Sequence, residues 1–199
     1  MANDFKHIQR FKKTYETKCI KLLVSAYKRA LVLKSIKFDW MEDDITAQLN
    51  EYITSDPENI WHIDAITQYP LPNNNQKVRG YADHFAVIDM RFFKYSNNVG
   101  YEYFAEAKNL KEHDSYLKRR YIDTGIDNFI CGKYNNGCLL AYILEGDLMG
   151  TIGGINKLLE KDKRNDECLA KSTYKYFDRC FESMHPGVGV LKHLAFDFT

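Results

Sequence analysis

The sequence predicts an α/β fold in which helices flank a mixed β-sheet. Apolar residues recur at helical spacing at the start of the chain, and the middle changes to runs of β-branched and aromatic residues. Farther on, short apolar runs bounded by glycine alternate with longer amphipathic segments. With 199 residues, 45% of them hydrophobic, the chain can bury the core of one such domain, so we expect residues 1–199 to form a single domain.

The first two segments are predicted to be helices. Between Ile8 and about Ile36, apolar residues recur near helical spacing with Lys and Arg between them, which predicts one long helix or two short ones. A second helix is expected to begin after Asp39 as its N-cap and to end before the Asp56-Pro57 turn. Residues 60–69 predict a strand, and Pro70 begins a loop of about ten residues.

An antiparallel hairpin is the clearest signal in the middle of the chain. Residues 85–95 and 100–108 are rich in Phe, Tyr, Val and Ile, and Ser96-Asn97-Asn98-Val99 separates them. Asn tolerates the positive φ of a tight turn. If the turn is centred between Asn97 and Asn98, the numbers of two facing residues sum to about 195.

The remaining elements follow from periodicity and from bounding glycines. We expect a polar stretch over 109–120, a helix over 121–134, a buried strand over 138–144, helices over 150–161 and 166–183, and a last strand over 189–198.

Charge is distributed unevenly, although the formal net charge is only +1. Residues 1–37 contain ten Lys or Arg and two acids, whereas residues 38–64 contain eight acids and no Lys or Arg. Any attraction to nucleic acid must therefore be local. The basic helical segment 1–37 is either a solvated helix face or a surface that contacts phosphates.

The cysteines and the apolar runs indicate a cytoplasmic protein. Five cysteines form no C-x-x-C pair and leave an odd count, which favours reduced thiols over a disulfide framework or a zinc site. The N-terminus lacks the pattern of a signal peptide, and no run of about 18 apolar residues is present. We expect no association with a membrane.

Glu106-Ala107-Lys108 is the candidate for chemistry, because a carboxylate and an amine two residues apart on a strand leave the same face of the sheet. An acid-x-Lys pattern arises by chance about once in a chain of this size, and Glu16-Thr17-Lys18 is a second instance on a helix. The hairpin distinguishes the two, since its register places Asp89 opposite Glu106 at about 5 Å. Two such acids repel unless a cation offsets their charge.

Asp83 is the alternative to Asp89. It lies on the same face by alternation but about 20 Å farther along an extended strand. It would replace Asp89 if the register of the turn were different.

This arrangement resembles the PD-(D/E)XK nuclease superfamily, whose restriction-endonuclease-like core has an Asp on one strand and a Glu-x-Lys on the next. The segment 42–49, which begins Glu42-Asp43-Asp44, resembles the preceding helix that often donates a further acid. The segment 121–129, followed by Gly132-Lys133-Tyr134, resembles the helix after the active strand in small bacterial members. These motifs span residues 42–146, and the strand ending His193–Phe198 also fits. No Pro precedes either candidate Asp, which departs from the pattern.

The resemblance implies roles for individual residues. Asp89 and Glu106 would bind the metal together with the Ala107 carbonyl, and Lys108 would position and help deprotonate the attacking water. Glu42 would be a further ligand, unless it belongs to a solvated acidic helix N-terminus. Hard oxygen ligands favour Mg²⁺, with Mn²⁺ as a substitute.

Lys118, Arg119 and Arg120 would grip a phosphodiester backbone or form a solvated loop. Tyr121 and Asn128 would line the cleft, unless Tyr121 is a packing residue.

The resemblance therefore implies a metal-dependent endonuclease that hydrolyses DNA, in restriction, repair or anti-phage defence, as a homodimer or as a subunit of a defence complex. The alternative is a module on the same fold that binds nucleic acid or protein without cutting. Self-association through an aromatic-rich surface is compatible with both.

Overall fold

The computed structural model describes residues 2–71, 86–96 and 99–199, with the backbone alone for residues 2–8 and Ser96. The helices are α1 (Ala2–Leu33), α2 (Glu42–Thr54), α3 (Ser115–Arg120), α4 (Asp127–Ile130) and α5 (Leu148–Lys161). A π-helical turn (Tyr121–Ile126) joins α3 to α4, and a 3-10 turn (Asn165–Glu167) follows α5. The strands are β1 (Asp64–Leu71), β2 (Ala86–Ser96), β3 (Val99–Lys111), β4 (Gly137–Glu145), β5 (Ala170–Lys171), β6 (Cys180–His185) and β7 (Gly189–Asp197).

The strands form one seven-stranded mixed sheet in the order β1-β2-β3-β4-β7-β6-β5. Strand β4 runs parallel to both β3 and β7, and the other neighbours are antiparallel. A central parallel strand is covered on both faces, which explains why 138–144 is apolar throughout and buried. The prediction of a mixed sheet in an α/β fold is confirmed.

Helices cover both faces of this sheet. One hydrophobic cluster joins α1 and α2 to one face, and a second joins α4, α5 and the π-helical turn to the other. Strand β3 contributes to both, since Ala105 and Ala107 lie in the first cluster and Phe104 and Leu110 in the second. Among the residues described, no helix is long and apolar enough to cross a membrane.

The predicted hairpin and its register are confirmed. From Met90 opposite Ala105 to Ser96 opposite Val99, the numbers of paired residues sum to 195. The turn residues 97–98 and the alternative acid Asp83 lie outside the described residues. Asp89 immediately precedes Met90 in β2 and lies one residue beyond the last pair of the ladder.

At the N-terminal end, α1 is one continuous helix, which confirms the prediction of one long helix rather than two short ones. The N-cap assigned to Asp39 is wrong, because α2 begins at Glu42 and the Asp44 carboxylate accepts a hydrogen bond from the Met41 N–H at 3.0 Å. The acid in the first turn therefore bonds the backbone N–H of the N-cap residue Met41, which is the reverse of the side-chain cap expected from Asp39. Strand β1 extends from Asp64 to Leu71 rather than over 60–69.

Two later predictions are corrected. Helical structure begins at Ser115 rather than at Tyr121, since the Asp114 carboxylate accepts from the N–H groups of Tyr116 and Leu117. The helix predicted over 166–183 is wrong, because this segment contains the 3-10 turn, β5 and the start of β6. Antiparallel pairing with β7 decides the conformation of β6. The strand at 138–144, the helix at 150–161 and the strand at 189–198 are confirmed.

Candidate active site

The site lies where β2 separates from β3. The backbone ladder between the two strands ends at Met90 and Ala105. At Asp89, the residue before Met90, a side chain replaces the backbone as the acceptor: Asp89 Oδ2 accepts a hydrogen bond from the Ala107 N–H at 2.6 Å. The gap between the strands therefore brings a carboxylate into the plane of the sheet, beside the Glu-x-Lys segment of β3.

The Lys108 ammonium occupies the centre of the site. Its Nζ lies 2.8 Å from Glu106 Oε1, 2.7 Å from the Ala107 carbonyl oxygen and 3.8 Å from Asp89 Oδ2. Glu106 and Lys108 are each only 5% exposed. The structure thus brings together the four residues that the sequence predicted at the centre of the site, and three of their oxygen atoms surround one positive charge.

Two carboxylates and one ammonium leave this cluster with excess negative charge. Burial, and then the neighbouring Glu106 carboxylate, raise the pKa of Asp89 to about 7, although Lys108 and the Ala107 N–H act to lower it. A further cation would relieve the repulsion that one ammonium does not offset.

Helix α4 and the segment that follows it hold Glu106 in place. The Tyr134 hydroxyl donates a hydrogen bond to Glu106 Oε2 at 2.6 Å, and Asn128 Nδ2 lies 3.5 Å from Glu106 Oε1. Sequence reasoning named Asn128 as a cleft residue but gave Tyr134 no role. The one available signal was its place in the Gly132-Lys133-Tyr134 motif, since no spacing rule connects it to Glu106. Burial and Glu106 raise the pKa of Tyr134, so its hydroxyl remains a donor.

Glu42 lies beside the site and is already bonded. Its Oε2 accepts from the Asn109 N–H at 2.9 Å, and its Oε1 accepts from Arg120 at 2.8 Å. Glu42 therefore joins the start of α2 to the end of β3, one residue past Lys108. Its role as a metal ligand remains a prediction, and that role requires the pair with Arg120 to open.

The basic cluster after β3 is engaged within the protein. Lys118 is buried, and its Nζ donates to the Glu112 carbonyl at 2.6 Å, which corrects its expected position at the surface. Arg119 pairs with Asp162, and the Arg119 and Arg120 side chains are partly exposed. Arg119 and Arg120 therefore remain candidates for phosphate contacts, whereas Lys118 fixes the turn between β3 and α3.

Tyr121 lies in the core, which confirms the alternative that it is a packing residue and corrects its assignment as a cleft residue that contacts nucleic acid. It is 0% exposed, and its hydroxyl lies 2.8 Å from His193 Nδ1. Ser183 Oγ lies 2.7 Å from His193 Nε2 and 2.6 Å from His185 Nε2, and His185 Nδ1 lies 2.8 Å from Glu167. We call these five residues the imidazole chain. Its Ser-His-Glu portion has the order of a hydrolase triad, but Ser183 is 3% exposed and its hydroxyl serves both imidazoles, so no substrate reaches it.

A cavity of about 580 Å³ opens beside the site, near the carboxyl ends of the parallel strands β3 and β4. Trp40, Glu42, Asn109, Lys111 and Arg120 are among its lining residues. The carboxyl ends of parallel strands are a common place for ligands in α/β sheets.

The donor set fits a hard divalent cation. Two carboxylates and a backbone carbonyl are ligands that Mg²⁺ and Mn²⁺ prefer, and the Lys108 ammonium occupies the point that they surround. Within the described part of the chain, no group of three or more His, Cys, Asp or Glu side chains is arranged to hold a metal ion. The carbonyl oxygen and solvent would therefore have to complete the coordination.

Comparison with protein-family models, with curated proteins and with solved structures finds no match to the chain.

Proposed function

We propose that the protein is a metal-dependent nuclease of the PD-(D/E)XK superfamily, with a restriction-endonuclease-like fold. The observation that carries the proposal is the convergence of Asp89, Glu106 and the Ala107 carbonyl on the Lys108 ammonium. An acid-x-Lys motif alone would not support it, since the spacing recurs by chance.

The order of elements around the site also supports the proposal. Helix α2 precedes the sheet and carries Glu42, the β2–β3 hairpin brings Asp89 beside Glu106, and the α3–α4 segment follows the active strand. These are the features on which the resemblance was based, now placed around one point.

The residues divide the chemistry between them. Asp89, Glu106 and the Ala107 carbonyl would hold Mg²⁺ or Mn²⁺, which when bound supplies Lewis acidity and lowers the pKa of water. The Lys108 ammonium would orient the attacking water, and its positive charge would favour the loss of a proton from that water to solvent.

DNA is the proposed substrate. The partly exposed Arg119 and Arg120 would contact its phosphates, with Arg120 exchanging Glu42 for a phosphate oxygen. By analogy with small bacterial members, we place the activity in the cytoplasm, in restriction or anti-phage defence, as a homodimer or within a defence complex.

A cleavage assay tests the function. Linear, circular and single-stranded DNA, and RNA, are incubated with Mg²⁺ or Mn²⁺ and the wild type, Glu106→Ala or Lys108→Ala. We expect cutting that requires metal and that each substitution reduces by roughly 10²–10⁴-fold, because each removes a group that acts in the transition state.

Lys18→Ala is the matched control. Lys18 lies on α1, where it ends the Glu16-Thr17-Lys18 motif, and its ammonium lies over the ring of Trp61. It should cut like the wild type. Absence of cutting on every substrate, or equal cutting by all variants, would contradict the proposal.

Exposed cations on α1 favour the alternative, a module that binds without cutting. Arg10, Lys12 and Lys13 are exposed on α1, which packs on the sheet face opposite Glu106. In that case DNA would bind without being cut, and Lys12→Ala with Lys13→Ala would weaken binding while Glu106→Ala would not.

A further inference from the structure

Tyr134 lies outside the predicted catalytic motif but contacts it directly. It is 28 residues from Glu106 in sequence, and its hydroxyl lies 2.6 Å from Glu106 Oε2. The residue is 3% exposed. A short hydrogen bond from a neutral donor to a buried charged acceptor is strong, because water does not compete for either group.

The Tyr134 ring is fixed by its surroundings. Its centroid lies 5.0 Å from that of Phe129 in an edge contact and 5.9 Å from that of Phe104. The loop that carries it ends at Gly137, whose φ is +146°, and a Cβ there would lie 2.2 Å from the Phe104 carbonyl oxygen. Only glycine permits this approach. The loop therefore enters β4 against the Phe104 carbonyl, and on this path the Tyr134 hydroxyl reaches Glu106 Oε2.

The two oxygens of Glu106 consequently have different partners. Oε2 accepts from Tyr134, whereas Oε1 faces Lys108 Nζ at the centre of the site. Asn128 Nδ2 lies at the longer distance of 3.5 Å from Oε1. Tyr134 thus prevents rotation of the carboxylate and leaves Oε1 directed at the central point.

We propose that Tyr134 is a positioning residue, which orients the Glu106 carboxylate toward a divalent cation. This inference rests on the proposed function. Groups that orient a metal ligand without touching the metal change its affinity by about 10–100-fold when removed. Tyr134 does not contact the reacting atoms, so its effect appears first in metal binding.

The test is Mn²⁺ binding by the full chain in the absence of nucleic acid, measured by isothermal titration calorimetry. Tyr134→Phe keeps the ring and removes only the hydroxyl. Tyr121→Phe is the matched control, because Tyr121 is also buried and also loses one hydrogen bond, to His193. We expect Tyr134→Phe to weaken Mn²⁺ binding by about tenfold or more, and Tyr121→Phe to change it by less than about twofold.

Thermal melting of both variants without metal separates positioning from stability. Each loses one buried hydrogen bond, so both melting temperatures should fall, that of Tyr134→Phe by more because its acceptor is charged, and both variants should stay folded at the temperature of the titration. If the wild type and Tyr134→Phe bind Mn²⁺ equally, Tyr134 is a packing residue and the inference is overturned while the proposed function stands. If the wild type binds no Mn²⁺, the proposed function fails first and the inference fails with it.

Discussion

Two buried polar clusters lie on the same face of the sheet, and they differ in how completely their groups are matched. In the imidazole chain every donor has an acceptor. His185 Nδ1 faces the Glu167 carboxylate and therefore carries the proton, so Ser183 donates to His185 Nε2. Ser183 then accepts from His193 Nε2, and His193 Nδ1 accepts from the Tyr121 hydroxyl.

The cluster of Asp89, Glu106 and Lys108 is not matched in this way. Two carboxylates share one ammonium, and burial together with Glu106 raises the pKa of Asp89 to about 7. A cluster whose charges balance stabilises the fold and needs no ligand, whereas one with excess charge costs stability unless something binds. The contrast separates a structural network from a candidate site better than residue types do, since Ser, His and Glu belong to the network here.

The two Glu-x-Lys motifs, at 16–18 and 106–108, show the same difference at shorter range. In the helix, Glu16 pairs with Lys192 of β7 at 2.7 Å, while Lys18 lies 4.9 Å over the Trp61 ring. In the strand, Glu106 and Lys108 meet at 2.8 Å. Residues two apart point in different directions on a helix and in the same direction on a strand. The secondary structure, and then the neighbour Asp89, decide which motif becomes a site.

Breaking the imidazole chain should have the larger effect on stability. We expect His193→Phe to lower the free energy of unfolding by about 3 kcal/mol at pH 7, because it leaves the Tyr121 hydroxyl without an acceptor and removes the donor to the Ser183 oxygen in the core. Urea unfolding measures the change.

The difference in the free energy of unfolding between the wild type and His193→Phe should decrease as the pH falls. Burial, and then His185, lower the pKa of His193 to about 3, below the value near 6.5 of an unfolded chain. The unfolded wild type therefore takes up more protons than the folded one as the pH falls below 6.5, and His193 costs the wild type about 1.4 kcal/mol per pH unit. Phe does not titrate, so the gap to the variant closes. A gap that stays constant from pH 7 to pH 5 would contradict a buried, neutral His193.

Removing one carboxylate from the cluster of Asp89, Glu106 and Lys108 should change the free energy of unfolding less than His193→Phe does, and in the opposite direction. Asp89→Asn keeps an oxygen for the Ala107 N–H but removes one of two carboxylates, so we expect the metal-free protein to gain about 1–2 kcal/mol of stability while losing cleavage. Urea unfolding in the presence of a chelator tests the first part. Destabilisation comparable to that of His193→Phe would instead make Asp89 a structural residue.

Local patterns predicted the centre of the site well. The Asn97-Asn98 turn and the alternation of the hairpin were enough to predict Asp89 beside the Glu106–Lys108 segment, because the register of a short hairpin is set by its turn. The ladder itself ends at Met90 and Ala105, and the Asp89 carboxylate accepts from the Ala107 N–H. The apolar run over 138–144 predicted the central parallel strand for a similar reason, since burial on both faces leaves a continuous pattern.

Contacts between distant segments could not be predicted. Tyr134 reaches Glu106 through a loop whose path depends on Gly137 and Phe129, and no local period encodes that path. The helix predicted over 166–183 failed likewise, because β6 exists only by pairing with β7. Tyr121 was expected near a cleft, but its partner His193 is 72 residues away.

The most direct test of the account is a crystal structure of the chain soaked in Mn²⁺, with anomalous diffraction to locate the metal. We expect an anomalous peak at the point now occupied by Lys108 Nζ, between Asp89, Glu106 and the Ala107 carbonyl, with the ammonium moved aside. A map with no peak there, while Lys108 stays bonded to Glu106 and Ala107 at saturating Mn²⁺, would contradict it.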